Sequence, residues 1–244
     1  MRTQGIPLAA GEPAYLFRDD QLLKRHPAYT AAKSGDSAAA VDLVRDLAEP
    51  LRTTAERFGS GVIFVAPHAL EATGDNAIPQ TLAAFLAVAS DARSDTAIAQ
   101  ANRVFHTGAN AMERLIAPSE FVGAVELGGR YVLVDDVTTM GGTLADLSAH
   151  IQAGGGLVVG SVVLVNAARS GRLQAAPAVL RKIEERFGDE IKDILCIEPA
   201  ALTAEEAGYV VGFRTADELR TRAAAAQKER DRRLRAKGVY RDEA

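Results

Sequence analysis

Arg130-Tyr131-Val132-Leu133-Val134-Asp135-Asp136-Val137-Thr138-Thr139-Met140-Gly141-Gly142-Thr143-Leu144 is the stretch whose reading decides the fold. Val132 to Val134 are apolar without polar alternation, as expected of a parallel strand covered by helices on both faces. Asp135 and Asp136 follow, which places them at the carboxyl end of that strand, where open α/β sheets hold their ligands. Thr138 to Thr143 then add hydroxyls and two glycines, which let backbone N–H groups come close to an anion. The helix expected next contributes unpaired N–H donors and a favourable dipole. One short segment thus offers carboxylates for sugar hydroxyls or a Mg²⁺ shell beside a cradle for a phosphate.

Working outward, Leu144, Leu147 and Ile151 share a helical face that stops at Gly154-Gly155-Gly156, and Leu157 to Val165 is the next buried strand. Strand, helix and strand imply a parallel, right-handed crossover. Upstream, Gly61 to Ala66 is a second buried strand, so the loop from Pro67 to Asn76 also faces the ligand side. A helix is expected from Ile78-Pro79, with Asn76 as its cap and Leu82, Phe85 and Leu86 buried. Earlier still, Asp36 caps a helix carrying Val41, Leu43, Val44, Leu47 and Leu51 on one face, divided by Pro50 and ended near Gly59. His26 and Tyr29, just before it, are expected at the surface or in packing.

Asp95 to Phe105 reads as extended and runs into Arg103-Val104-Phe105-His106-Thr107-Gly108-Ala109-Asn110, where a cation, an imidazole and small polar residues precede a short helix around Met112 to Ile116. Pro177 to Phe187 is a helix closed by Gly188, and Asp193 to Ile197 reads as a short strand. Thr203-Ala204-Glu205-Glu206 has the spacing of a capping box. After Thr215 comes an Ala/Arg-rich helix with few large apolar residues, expected to fray or to pack on a partner. Pro7 and Pro13 suggest an irregular beginning, so the expected division is an arm over 1–25, an α/β domain over 26–213 and a basic helix over 214–244.

Composition narrows the function classes. The chain has 244 residues, enough for a sizeable core. No apolar run reaches the ~18 residues of a membrane span, and Met1 to Pro7 lacks the apolar core of a secretory signal, so a cytoplasmic protein is expected. Cys196 is the only cysteine, which excludes an internal disulfide or a multi-cysteine metal site; in Ile194-Leu195-Cys196-Ile197 it reads as a small buried hydrophobe. A net charge of −4 gives no global argument for nucleic acid. Asp217 to Lys237 nevertheless holds eight Lys/Arg against four Asp/Glu, a basic tail read first as a solvated or oligomer-contacting helix.

The segment Val132 to Thr143 resembles the phosphoribosyl pyrophosphate (PRPP) signature of type I phosphoribosyltransferases: apolar residues, two acids, apolar residues, then a small or hydroxyl-bearing loop ending in Gly-x-Thr. The resemblance weakens outward and spans about Val62 to Val165. It implies a Rossmann-like α/β fold, with a mostly parallel central sheet flanked by helices and a small hood or flap. The implied reaction moves 5-phosphoribosyl from PRPP to a nitrogenous base with release of pyrophosphate and with Mg²⁺ as cofactor. By the same resemblance Asp135 and Asp136 bind the ribose hydroxyls, directly or around Mg²⁺, and serve as the metal-associated acids. Thr138, Thr139, Met140, Gly141, Gly142 and Thr143 hold the 5-phosphate. Ala66, Pro67, His68, Ala69 and Arg103 fall to pyrophosphate, and His106, in a segment expected to cover the site, joins Asp135 and Asp136 as a catalytic candidate. A homodimer is implied.

Three departures stand out. Met140 occupies a place where Thr or Ser is common, and Thr139 one where hypoxanthine-type members carry an Asp base. Gly141-Gly142-Thr143 is nearer to adenine-type members, while the pyrophosphate loop is long, with Glu71 and Asp75, and not compactly Gly-rich. No acceptor base is readable, so a PRPP- or nucleotide-sensing regulator of the same fold, contacting nucleic acid through the basic helix, is the alternative. A ribose-phosphate hydrolase, or a domain of a phage-type or conflict system, is a further class.

Overall fold

The computed structural model describes residues 1–68, 76–102 and 109–236. Its strands are β1 (Ala14–Phe17), β2 (Ile63–Val65), β3 (Arg93–Asp95), β4 (Ala99–Gln100), β5 (Phe121–Val122), β6 (Arg130–Thr138) and β7 (Leu157–Asn166). Its α-helices are α1 (Gln21–Arg25), α2 (Tyr29–Lys33), α3 (Ser37–Leu47), α4 (Arg52–Phe58), α5 (Ile78–Ala89), α6 (Ala111–Leu115), α7 (Gly142–Ala153), α8 (Pro177–Phe187), α9 (Glu190–Leu195), α10 (Ala204–Val210) and α11 (Ala216–Ala236).

β1, β7, β6, β2 and β3 form one parallel sheet in that order, and β4 pairs antiparallel with β5 as a separate ribbon. Tyr131 to Val134 are buried because alternate residues feed different apolar clusters. Val132 and Val134 join Leu43, Leu82 and Leu86 from α3 and α5, while Tyr131 and Leu133 join Leu144, Leu147 and Ile151 from α7. Burial on both faces explains the unbroken apolar run and confirms an α/β fold with a parallel central sheet between helices. A third cluster stands off the sheet, where α6, α8, α9, α10 and α11 meet through Met112, Leu115, Ile183, Ile191, Val210 and Leu219.

Neighbouring strands end at different levels, and that places the site. β2 pairs with β6 only as far as Val65 opposite Leu133, whereas β7 follows β6 to Asn166 opposite Thr138. The sheet therefore opens beside the second half of β6. Asp135 and Asp136 lie within the strand rather than past its end, because β7 carries the pairing on beyond them. The connection expected over Thr138 to Thr143 contracts to Thr139–Gly141, with Thr138 in β6 and Gly142 and Thr143 in α7.

Local expectations hold where capping chemistry is explicit. Asp36 accepts from Ala39 N–H, Thr203 and Glu206 form the reciprocal capping box, and a 3₁₀ turn at Glu49–Leu51 containing Pro50 separates α3 from α4; the cap of α5 falls on Ala77 rather than Asn76, whose side chain accepts from Ile78 N–H. Several do not hold. Ala14–Phe17, in the expected irregular arm, pairs parallel with Val162 to Val165 and covers what would otherwise be the open edge of β7. Asp193 to Ile197 is not a strand: Ile191 and Leu195, four apart, bury one side of the short helix α9. Cys196 ends that helix in the left-handed region, φ 55°, and is exposed rather than buried. Val41 also points outward. α11 packs on α6 and α9 of its own chain, burying Leu219, Ala226 and Leu234. Among the described residues no helix is long and apolar enough to cross a membrane.

Candidate functional site

A cavity of about 310 Å³ lies over the open part of the sheet. Asp135 and Asp136, the whole run Thr138 to Thr143, and Pro67 with His68 from the end of β2 all border it. The structure thus gathers most of the site residues expected from sequence. Ala66 is buried beneath, as the last apolar residue leaving β2. Ala69, Arg103 and His106 lie outside the described residues, as do Glu71 and Asp75.

The turn Thr139–Gly141 is built for close approach. Gly141 has φ 75°, the left-handed region that favours glycine, and a Cβ there would also press on Leu173, 2.6 Å from Cδ2. α7 starts at Gly142, and its first N–H groups open towards the turn. Thr138 Oγ1 is buried and has no hydrogen-bond partner among the described residues. Arg114 of α6 donates from Nη1 to Thr139 Oγ1 at 3.0 Å, and burial holds its guanidinium below its usual pKa.

Distant segments hold this turn in place. Thr203 donates from Oγ1 to Met140 C=O at 2.6 Å. Arg2, 4% exposed, donates to Gly142 C=O and to Asp146 Oδ1, both at 3.2 Å, and pairs with Glu206. Asp146 Oδ2 accepts from Ser119 N–H at 2.9 Å. Burial, assisted by the Glu206 charge and opposed by Arg2, pushes the Asp146 carboxyl up to about 7.

The acid pair is organised differently. Lys33 Nζ lies 2.6 Å from Asp136 Oδ2, while Asp136 Oδ1 accepts Val137 N–H and Asp135 Oδ1 accepts Asp136 N–H, each at 2.9 Å. Burial first, then the neighbouring Asp136 charge, holds the Asp135 carboxyl well above the usual carboxylate range, with Lys33 opposing both. The Lys33 ammonium loses to burial but gains more from Asp136, so its pKa is raised and it stays charged. Directly ligated Mg²⁺ does not fit this arrangement. Lys33 Nζ stands in ion-pair contact with Oδ2, which has no hydrogen-bond partner among the described residues, and Oδ1 accepts Val137 N–H, so a metal ligated at Asp136 would have to displace the ammonium. Contact through sugar hydroxyls or water leaves Lys33 where it is.

At the third side of the cavity Gln80 Nε2 donates to Ala66 C=O at 3.0 Å and lies 2.6 Å from His68 Nδ1. The Gln80 amide thus bridges the end of β2 and the His68 ring, fixing the ring beside the cavity. Lys33, Arg114, Arg2, Gln80 and Asp146 were not singled out from sequence, and Glu206 was read only as part of a capping box. Apart from Asp146, in the second turn of α7, each comes from a segment remote from the motif, and a lone Lys or Arg gives no local signal of its partner. His26, by contrast, lies by Asp46 at 3.3 Å, in a packing role as expected.

No protein-family model matches the chain. It is 35% identical over 218 residues to Protein TraN of Escherichia coli, an alignment covering 85% of this chain and 48% of that protein. It is 34% identical over 129 residues to an uncharacterized protein of Haemophilus influenzae, covering 52% of this chain and 29% of the other. The chain therefore spans about half the length of the first relative and less of the second. Among solved structures, an adenine phosphoribosyltransferase overlaps 52% of this chain and 69% of its own, at TM-score 0.35 and 14% identity. The adenine phosphoribosyltransferase of Leishmania donovani overlaps 61% and 57%, at TM-score 0.32 and 18% identity. The α/β fold stands on the strand order and pairing of this chain, not on those overlaps.

Proposed function

We propose that the cavity binds PRPP and that the chain transfers its 5-phosphoribosyl group to a nitrogenous base, releasing pyrophosphate. One observation carries this reading: the acid pair, and the turn that opens onto the start of α7, border the same cavity. A sugar phosphate needs both, hydrogen-bonding carboxylates for its hydroxyls and backbone N–H groups for its phosphate. The unpartnered Thr138 hydroxyl adds a further ligand for the phosphate, and Arg114 brings a cation to the Thr139 side.

In this reading Asp135 and Asp136 hold the ribose hydroxyls, the turn Thr139–Gly141 fixes the 5-phosphate, and Pro67 with His68 faces the pyrophosphate. The bond from C1 to the pyrophosphate oxygen breaks as a nitrogen lone pair of the base attacks C1. Positive charge gathers on the sugar, and the nearby carboxylates stabilise it. His68 can donate a hydrogen bond to the departing oxyanion. No covalent enzyme nucleophile is required, because positioning supplies most of the acceleration. Whether the longer proteins this chain resembles carry out the same reaction is part of the proposal.

Incubation with PRPP and a panel of nucleobases, followed by measurement of pyrophosphate, tests it. Release with one base, reduced about 100-fold or more by Asp136→Asn, is the expected result. PRPP binding without turnover on any base would turn the site into a sensor, and no binding at all would end the sugar-phosphate reading.

A further inference from the structure

Lys33 reaches the acid pair from a segment that the motif does not contain. It closes α2, and the end of that helix is anchored: Ala32 is buried, and its carbonyl accepts Ala77 N–H at 3.0 Å. The ammonium is therefore delivered by fixed backbone. It meets Asp136 Oδ2 at 2.6 Å, with the Lys33 side chain 33% exposed and the Asp136 side chain 4% exposed, so the cation stands between the buried carboxylate and the cavity. The other Asp136 oxygen is taken by Val137 N–H. A Mg²⁺ ion would have to come within about 2.0–2.1 Å of a carboxylate oxygen, with near-octahedral company. At Oδ2 that approach is already filled by a positive charge.

We propose that Lys33 is a resident counter-ion, taking at Asp136 the place of a divalent cation and allowing the site to bind an anionic sugar phosphate without one. This rests on the sugar-phosphate reading above. The ammonium is a compact charge on a flexible stem with three donors. When a sugar hydroxyl engages Asp136, Nζ stays in ion-pair contact with the carboxylate and turns its donors to the ligand's anionic oxygens. Lys33 is thus a specificity-determining residue: it favours ligands that bring negative charge next to their hydroxyls, and it disfavours free divalent metal.

Two measurements on the full chain test this. Electron paramagnetic resonance of added Mn²⁺ compares the wild type, Lys33→Met, and Lys33→Met combined with Asp136→Asn. Calorimetric titration with PRPP is run in Mg²⁺ and in EDTA. Removing the ammonium is expected to create a Mn²⁺ site at least about tenfold tighter than anything in the wild type, lost again when Asp136 is neutralised. Wild-type affinity for PRPP should change less than about threefold on removing Mg²⁺, while Lys33→Met should lose about tenfold or more in EDTA and recover in Mg²⁺. Equal Mn²⁺ binding by wild type and Lys33→Met overturns the inference. So does a wild type that binds PRPP only with Mg²⁺, a result that needs no variant to fold. A gained Mn²⁺ site with no PRPP binding by any form would keep Lys33 as the counter-ion and overturn the transferase reading instead.

Discussion

The turn Thr139–Gly141 is gripped from outside by residues 2, 114 and 203, whereas the acid pair just before it relies on its own backbone amides and one ammonium from residue 33. The difference follows from what each part must supply. A phosphate cradle works through backbone direction, which only surrounding structure can hold, so the support is extensive. A carboxylate pair works through charge, which one mobile cation can balance. The cradle should therefore be brittle towards substitution and the acid pair tolerant.

Replacing the hub of the cradle is the most severe way to test this contrast. Arg2→Met leaves Asp146 and Glu206 buried without their cation, and about 3–5 kcal/mol of stability should be lost, read from urea unfolding. A loss no greater than that of Asp136→Asn would erase the contrast. Gly141→Ala forces a Cβ against Leu173 at φ 75°, for an expected loss of about 1–3 kcal/mol. That variant should also bind sulfate more weakly, whereas unchanged sulfate affinity would show that the turn is not the anion site.

Asp146 sharpens the comparison through pH. Its folded-state pKa of about 7 lies above the unfolded value, near ~3.9, so between the two the folded protein holds a proton that the unfolded chain has released. Stability should fall as pH rises from about 4 to about 7 and level off above. Asp146→Asn should flatten that slope, and a slope unchanged by the substitution would assign it elsewhere. Smallest of all is the cost of Asp136→Asn to stability, about 1 kcal/mol or less, because the one-third-exposed Lys33 can return to water. Under the proposed function the same substitution should also lower pyrophosphate release about 100-fold or more, so stability and function would separate at the acid pair and coincide at the cradle.

Legibility from sequence divides along similar lines. The strand, acids, glycine turn and following helix carry local signals: an unbroken apolar run, two adjacent carboxylates, and a glycine demanded by positive φ. The caps at Asp36 and Thr203 were equally plain, since partner and spacing lie within one turn. Arg2 and Lys33 were not, because their partners lie more than a hundred residues away and nothing local marks a long-range ion pair. α9 was misread for another reason. Ile194-Leu195-Cys196-Ile197 is a short apolar run that suits a strand as well as a helix, and tertiary packing of Ile191 and Leu195 decided the matter.

The two carboxylates that engage their own strand's amides have a consequence for watching the site at work. Beyond Leu133 no β2 residue pairs with β6, while β7 goes on pairing with its other edge, and the N–H groups of Asp136 and Val137 also reach the carboxylates of Asp135 and Asp136. Deuterium uptake here, above all at the amide on the edge that β2 has left, therefore depends in part on side chains that a ligand would recruit. Two exchange rates in the middle of the sheet become a label-free gauge of occupancy, readable on the unmodified protein before any acceptor base is known.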